Sequence, residues 1–153
     1  MKTELAYMKM CQVVASQSKD PSTKVGAIIV GKDDLVLSTG FNGFPRGVKD
    51  LDVRYFDRET KYKLIEHAER NAIYNAARAG TSLLDSTLFV QWMPCHECAR
   101  AIIQSGIARI FVGNFGDEKL KKRWEESWGY SALMFAESGI ELTFVDLPKG
   151  DEK

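Results

Sequence analysis

The sequence predicts an α/β fold in which helices and strands layer around one mixed sheet. Three observations predict it. The elements run helix, hairpin, then helix and strand in alternation. The run Val25-Gly26-Ala27-Ile28-Ile29-Val30 is almost unbroken in its apolar character and rich in β-branched residues, as in a strand covered on both faces. A helix over 67–79 is rich in alanine, and small side chains let a helix lie close under a sheet. With 153 residues and no repeat or linker, residues 1–153 are expected to form one domain with its own core. A charged tail follows from about residue 147.

In chain order, residues 4–17 read as an amphipathic helix, with Tyr7, Met10, Cys11 and Val14 at steps of three and four. Cys11 lies on that apolar stripe, the place of a buried structural thiol. Ser18 to Lys24 is loop chemistry, and Pro21 closes the preceding helix. Gly31 to Asp34 turns the first strand into a second, Leu35 to Thr39, as a hairpin. From Gly40 to about Lys63 polarity is high and periodicity low, so a long loop serving as a lid or binding wall is expected. The alanine-rich helix then runs to Gly80, a helix-ending residue. A strand over 87–92 follows, then a helix over 96–105 and a strand over 109–112. A polar loop over 114–122 leads to a helix from about 123 to 138 and a last strand, 140–145. The aromatic residues of that last helix, Trp124, Trp128, Tyr130 and Phe135, are expected in core and interface positions.

Composition narrows the function. Twenty-one basic residues balance 21 acidic ones, which leaves no electrostatic footprint for nucleic acid. No apolar run is long enough to cross a bilayer, so no membrane partner is expected. The first nine residues carry charges where a signal peptide has its apolar segment. Three cysteines suit a reducing compartment and give no disulfide framework, so a cytoplasmic protein is expected.

Two short stretches carry the chemistry: His67-Ala68-Glu69 and Pro94-Cys95-His96-Glu97-Cys98. Together they supply one imidazole, two thiolates and a carboxylate. Catalytic zinc is held by three protein ligands, with a fourth position left to water. His67, Cys95 and Cys98 are the candidate ligands of one Zn2+ per chain, and Glu69 is left to move protons. A structural zinc would need a fourth protein ligand, for which His96 and Cys11 are the spare candidates. A redox Cys-x-x-Cys pair would leave His67 and Glu69 without a role. Residues two apart on a helix point about 200° apart, so His67 and Glu69 reach one cleft only at the helix start. Cys95 and Cys98, three apart, can face one way from the first turn of theirs. Two helix N-termini aimed at one point are therefore expected. The site would supply an activated water at neutral pH.

The H-x-E and P-C-x-x-C pair is the signature of zinc-dependent nucleobase deaminases. Together with Gly40-Phe41-Asn42-Gly43-Phe44-Pro45-Arg46-Gly47 and Ser18-Lys19-Asp20-Pro21-Ser22-Thr23-Lys24-Val25-Gly26-Ala27, it resembles the deoxycytidylate (dCMP) deaminase family of the cytidine-deaminase-like superfamily. The resemblance spans about residues 8–145. It implies a three-layer α/β/α fold with a five-stranded mixed sheet and a homo-oligomer, often a hexamer. It implies hydrolysis of dCMP to dUMP and ammonia, which supplies thymidylate synthesis. It also implies activation by dCTP and inhibition by dTTP, with Mg2+ accompanying the regulatory nucleotide. Asn42 matches the family's substrate-touching asparagine, and Ala68 sits between the two motif residues beside the substrate. The sequence departs from the family pattern at Trp92-Met93 and at Asn114-Phe115-Gly116-Asp117, which lacks a tyrosine expected after that strand.

A monophosphate needs charge-assisted donors, and Lys24 and Arg46 lie on the two loops nearest the proposed cleft. The same two cations could serve an effector site or be plain solvated charges. Two other functions stay open: deamination of another cytosine or purine nucleotide, nucleoside, base or nucleic acid, and a non-catalytic zinc-stabilised binding protein. The neutral net charge argues against nucleic acid, and Glu69 has no use in a purely structural site.

Overall fold

A computed structural model describes residues 2–113 and 118–147. The Asn114–Asp117 departure and all but the first residue of the predicted tail lie outside the described residues.

Helix α1 (Lys2–Ala15) comes first, then strands β1 (Gly26–Val30) and β2 (Val36–Phe41). Two short helices, α2 (Asp52–Phe56) and α3 (Arg58–Leu64), precede α4 (Ala68–Ala79). Strand β3 (Thr87–Val90), α5 (His96–Gln104), β4 (Arg109–Gly113), α6 (Glu118–Ser138) and β5 (Glu141–Val145) complete the order. The sheet order is β2-β1-β3-β4-β5. β1 runs antiparallel to both β2 and β3, whereas β3, β4 and β5 are parallel to one another. The sheet is thus mixed and five-stranded, as the resemblance implies, and the expected hairpin forms.

Period-two alternation sends each strand's side chains to two different layers. Ala27, Ile29, Leu88, Val90, Ile110 and Val112 pack with Ala68, Ala72 and Ala76 of α4, Ala99 and Ile102 of α5, and Phe135 of α6. Ile28, Val30 and Phe89 point the other way, onto Tyr7, Met8 and Cys11 of α1. This is the three-layer α/β/α arrangement, with β1 buried at every position.

Cys11 has no exposed surface, and its thiol donates to the Phe89 carbonyl at 3.3 Å. Burial pushes that thiol up to about 12. It lies on the α1 side of the sheet, and the cysteine pair lies on the other. Cys11→Ala is expected to keep activity and metal content while lowering stability by about 1–2 kcal/mol, the scale of a small buried deletion. Chemical denaturation and metal analysis of the variant check both halves, and loss of metal would mark Cys11 as a ligand.

Helix α4 lies almost on the backbone of β2. A Cβ at Gly40 would overlap the Ala72 nitrogen and the Ala68 carbonyl oxygen. The Ser38 hydroxyl donates to Ala72 O at 2.6 Å, and the Asn71 and Asn75 amides donate to Phe41 O and Thr39 O. The helix ends where expected: Gly80 is left-handed (φ 71), and Thr81 N–H reaches back to Ala76 O.

Two expectations need correction. Residues 52–64 are not an open loop but two short helices. Their charged faces lack an apolar period because α3 buries none of its residues. It is held instead by local bonds such as the Lys63–Glu59 pair and Thr60 to Asp57. The last long helix begins at Glu118 rather than near 123, since the Lys-rich stretch is a good helix former despite its polarity.

Candidate active site

His67 is the N-cap of α4 and Cys95 the N-cap of α5, so both motif helices begin at one place. Neither stretch could bring its side chains there alone. The Cys95 sulfur accepts from Cys98 N–H at 3.4 Å, folding the Cys-x-x-Cys turn around itself. His67 Nδ1 stands 3.4 Å from Cys95 Sγ and 3.4 Å from Cys98 Sγ. The three ligand atoms lie within 4.8 Å of one another, the one such group of His, Cys, Asp or Glu among the described residues. His96, the other candidate ligand, turns its ring to Ser127 Oγ at 2.7 Å.

The Cys98 thiol donates toward Cys95, which holds Cys95 down to about 3, while that bond and burial raise Cys98 well above its ordinary value. The pair therefore shares one proton, which a bound metal would expel. Burial disfavours a charged His67 imidazole, but Cys95 and Glu69 outweigh it and its pKa rises. Two sulfurs and one imidazole at this spacing fit zinc, and the three-ligand count leaves a coordination position free.

Glu69 is buried on the first turn of α4, at 5% exposure. Burial raises its carboxyl above the ordinary carboxylate range, with the His67 charge pulling against it. A buried carboxyl poised this way can carry a proton.

The frame around the cluster is rigid. Arg70 is bonded to Glu66 and reaches Glu97 at 3.1 Å, tying the two motifs together. From α6, the Ser131 hydroxyl donates to Pro94 O at 2.7 Å and the Ser127 hydroxyl accepts from His96 N–H at 3.0 Å. Trp124 stands edge-on to the His67 ring, with centroids 6.5 Å apart.

The cluster opens into a cavity of about 250 Å³, of the order of a small-molecule site. His67, Ala68, Glu69, Cys95 and Asn42 line it, as do Trp92 and Met93. So do Tyr55, Phe56 and Tyr62 from the short helices, so the segment expected as a lid or binding wall borders the cavity. Trp124 and Trp128 line it as well, which corrects their expected core and interface role. Phe135 is core as expected, and Tyr130 is largely exposed.

Asn42 does more than face the cavity. Its Oδ1 accepts from Val25 N–H at 2.8 Å, and its amide donates to Thr23 O at 2.8 Å and Asp20 at 3.4 Å. Asp20, also buried, accepts from Ser22 N–H and Thr23 N–H and pairs with Lys61 at 2.8 Å. This network fixes the 18–25 loop against α3. Lys61→Met strands the Asp20 carboxylate and is expected to lower stability by about 3 kcal/mol, the lower end for a broken buried pair because three other donors remain. Denaturant titration checks it, and a change below 1 kcal/mol would show the pair to be dispensable.

Lys24 and Arg46 do not line the cavity; Lys24 is exposed, and Arg46 bonds to Asn75. The cations that do line it are Arg58, Lys61 and Arg123, which sequence reasoning missed. Ser127 and Ser131 were also missed; their spacing of four on an aromatic helix was the available signal.

Residues 1–114 match the cytidine and deoxycytidylate deaminase zinc-binding region. The chain is 40% identical over 141 residues to an uncharacterized deaminase in the luxG 3′ region of Aliivibrio fischeri, covering 92% of each. It is 38% identical over 110 residues to deoxycytidylate deaminase of Homo sapiens, covering 68% of this chain and 60% of the human one. The crystal structure of dCMP deaminase from the cyanophage S-TIM5, in complex with dCMP and dUMP, superposes with a TM-score of 0.73 at 26% identity. That match covers 94% of this chain and 97% of the phage chain.

Proposed function

Since the chain belongs to the cytidine and deoxycytidylate deaminase family, as an enzyme of the zinc-dependent kind, we propose that it converts dCMP and water to dUMP and ammonia. One observation carries this reading: the buried Glu69 carboxyl lines a small-molecule cavity together with His67 and Cys95, and Cys98 converges on those two from behind the wall.

In this reading His67, Cys95 and Cys98 hold one zinc per chain. When bound there, zinc supplies a Lewis acid that brings the pKa of water to about 7. Glu69 takes the proton of the attacking water on a carboxylate oxygen and delivers it to the pyrimidine ring nitrogen beside the amino-bearing carbon. It then takes the remaining proton from the hydroxyl now on that carbon and passes it to the departing amine, so that the carbonyl forms as the C–N bond breaks and ammonia leaves. Asn42 fixes the loop that borders the base, and Ala68, lacking a side chain beyond Cβ, lets the base lie close to the helix start. The aromatic rings of Trp92, Trp124 and Trp128 exclude water from the ring face.

The reading extends to a single deaminase domain over residues 1–153 that works as a cytoplasmic homo-oligomer. Dimensions of the assembly and regulation by dCTP and dTTP with Mg2+ follow from the resemblance. Lys24 and Arg46, outside the cavity, belong in this reading with the triphosphate effector. Ammonia release from the zinc-loaded protein with dCMP, dCTP, deoxycytidine, cytosine and a tRNA tests it. Turnover of dCMP well above the others is expected, and a clear preference for any of the others overturns it.

A further inference from the structure

Three cations line the cavity, and they are not equivalent. Lys61 is neutralised by Asp20 at 2.8 Å, deep enough that its side chain is only 14% exposed. Arg58 and Arg123 line the same cavity from its exposed end and have no carboxylate partner among the described residues. The acidic neighbours of Arg58 are otherwise engaged: Asp57 accepts from the Thr60 hydroxyl, and Glu59 pairs with Lys63.

The two arginines also line one cavity from different helices. Arg58 and Tyr62 are four apart on α3 and so are neighbours on one helix face. Arg123, from α6, sits over the Tyr62 ring at 5.7 Å and near the Trp124 ring at 5.8 Å. Two arginines from different elements therefore line the open end of the cavity, Arg123 over the Tyr62 ring and Arg58 one helical turn before that tyrosine, with Glu69 at the buried end. Guanidinium groups left without carboxylates, one of them held against two aromatic rings, suit an oxyanion with several acceptor oxygens.

We propose that Arg58 and Arg123 bind the 5′-phosphate of the nucleotide and set the preference for a monophosphate over the bare nucleoside. This rests on the function proposed above for the same site. Lys61 is excluded from that role by its engagement with Asp20. The chain's zero net charge fits recognition of one phosphate better than of a polynucleotide backbone.

The test measures kcat/KM for dCMP and for deoxycytidine in the zinc-loaded wild type, Arg58→Gln and Arg123→Gln. Binding of dUMP and deoxyuridine is followed in parallel by calorimetry. Each substitution is expected to lower kcat/KM for dCMP and the affinity for dUMP by about 10- to 100-fold, the scale of a hydrogen bond to a charged group. Values for the two nucleosides are expected to fall less than threefold. Equal losses on nucleotide and nucleoside would overturn the assignment by making the arginines structural. So would unchanged dUMP affinity, or a single-stranded DNA oligonucleotide deaminated as efficiently as dCMP with the same arginine dependence. A wild type that binds dUMP through both arginines but does not deaminate dCMP would instead overturn the proposed reaction and leave the phosphate site standing.

Discussion

Glu69→Gln is expected to keep one zinc per chain and to lose turnover by about 10²–10⁴-fold or more, the range of general acid–base catalysis. The glutamine matches the carboxyl in shape, so the packing of Ala68 and Ala72 around the helix start is undisturbed. It cannot take up a proton, and this site asks one group to serve the attacking water, the ring nitrogen and the departing amine in turn. No second free carboxyl replaces it in the cavity: Asp20 lines the wall but is spent on Lys61 and three other donors. Metal analysis together with ammonia release on the same sample checks the result. Activity within tenfold of wild type would mean that another group carries the protons. Loss of zinc would mean that Glu69 helps hold the metal.

Gly40→Ala is expected to be the most damaging single methyl addition to stability in this part of the fold, at about 3 kcal/mol. The added atom would meet the backbone of α4, at Ala72 N and Ala68 O, and not a side chain that can swing away. Helix α4 must back off from β2, and with it move the Ser38 to Ala72 bond and the helix start that carries His67 and Glu69. For a chain of this size the melting temperature should fall by about 6–12 °C, with weaker zinc retention alongside. Calorimetry and a chelator competition read the two effects. A melting point within 2 °C of wild type would show that the helix can shift without cost.

How much of this was legible in the sequence depended on whether a residue had periodic or motif-bound company. The strand 25–30 was readable because both faces are covered, and the hairpin because Gly31 to Asp34 interrupts two apolar runs. His67, Glu69, Cys95 and Cys98 were readable because chemistry demands those types at those spacings. Arg58 and Arg123 carried no such signature. They are two charges among many, 65 positions apart, and only the fold brings both to the lining of one cavity. Lys24 and Arg46 drew attention by lying near recognisable loops, yet proximity in sequence to a motif does not fix which way a loop faces. Trp124 and Trp128 misled for a related reason: an aromatic stripe on a helix looks the same whether it meets a core or a cavity wall.

The β1–β3 pairing has a consequence for the order of assembly. Every other strand pair joins segments closer along the chain, whereas Ala27 meets Val90 and Val30 meets Thr87, closing a loop of about 60 residues. That loop carries β2, the short helices and α4, with the proton carrier at its far end; the thiols lie just beyond its closing strand. Closing long loops is the entropically slow part of folding, so this single seam sets the pace for the whole sheet. Glu69 rides on the hairpin side and Cys95 and Cys98 on the crossover side. Until that seam closes, nothing holds Glu69 against the Cys95–Cys98 pair, so the reactive centre forms only together with the sheet.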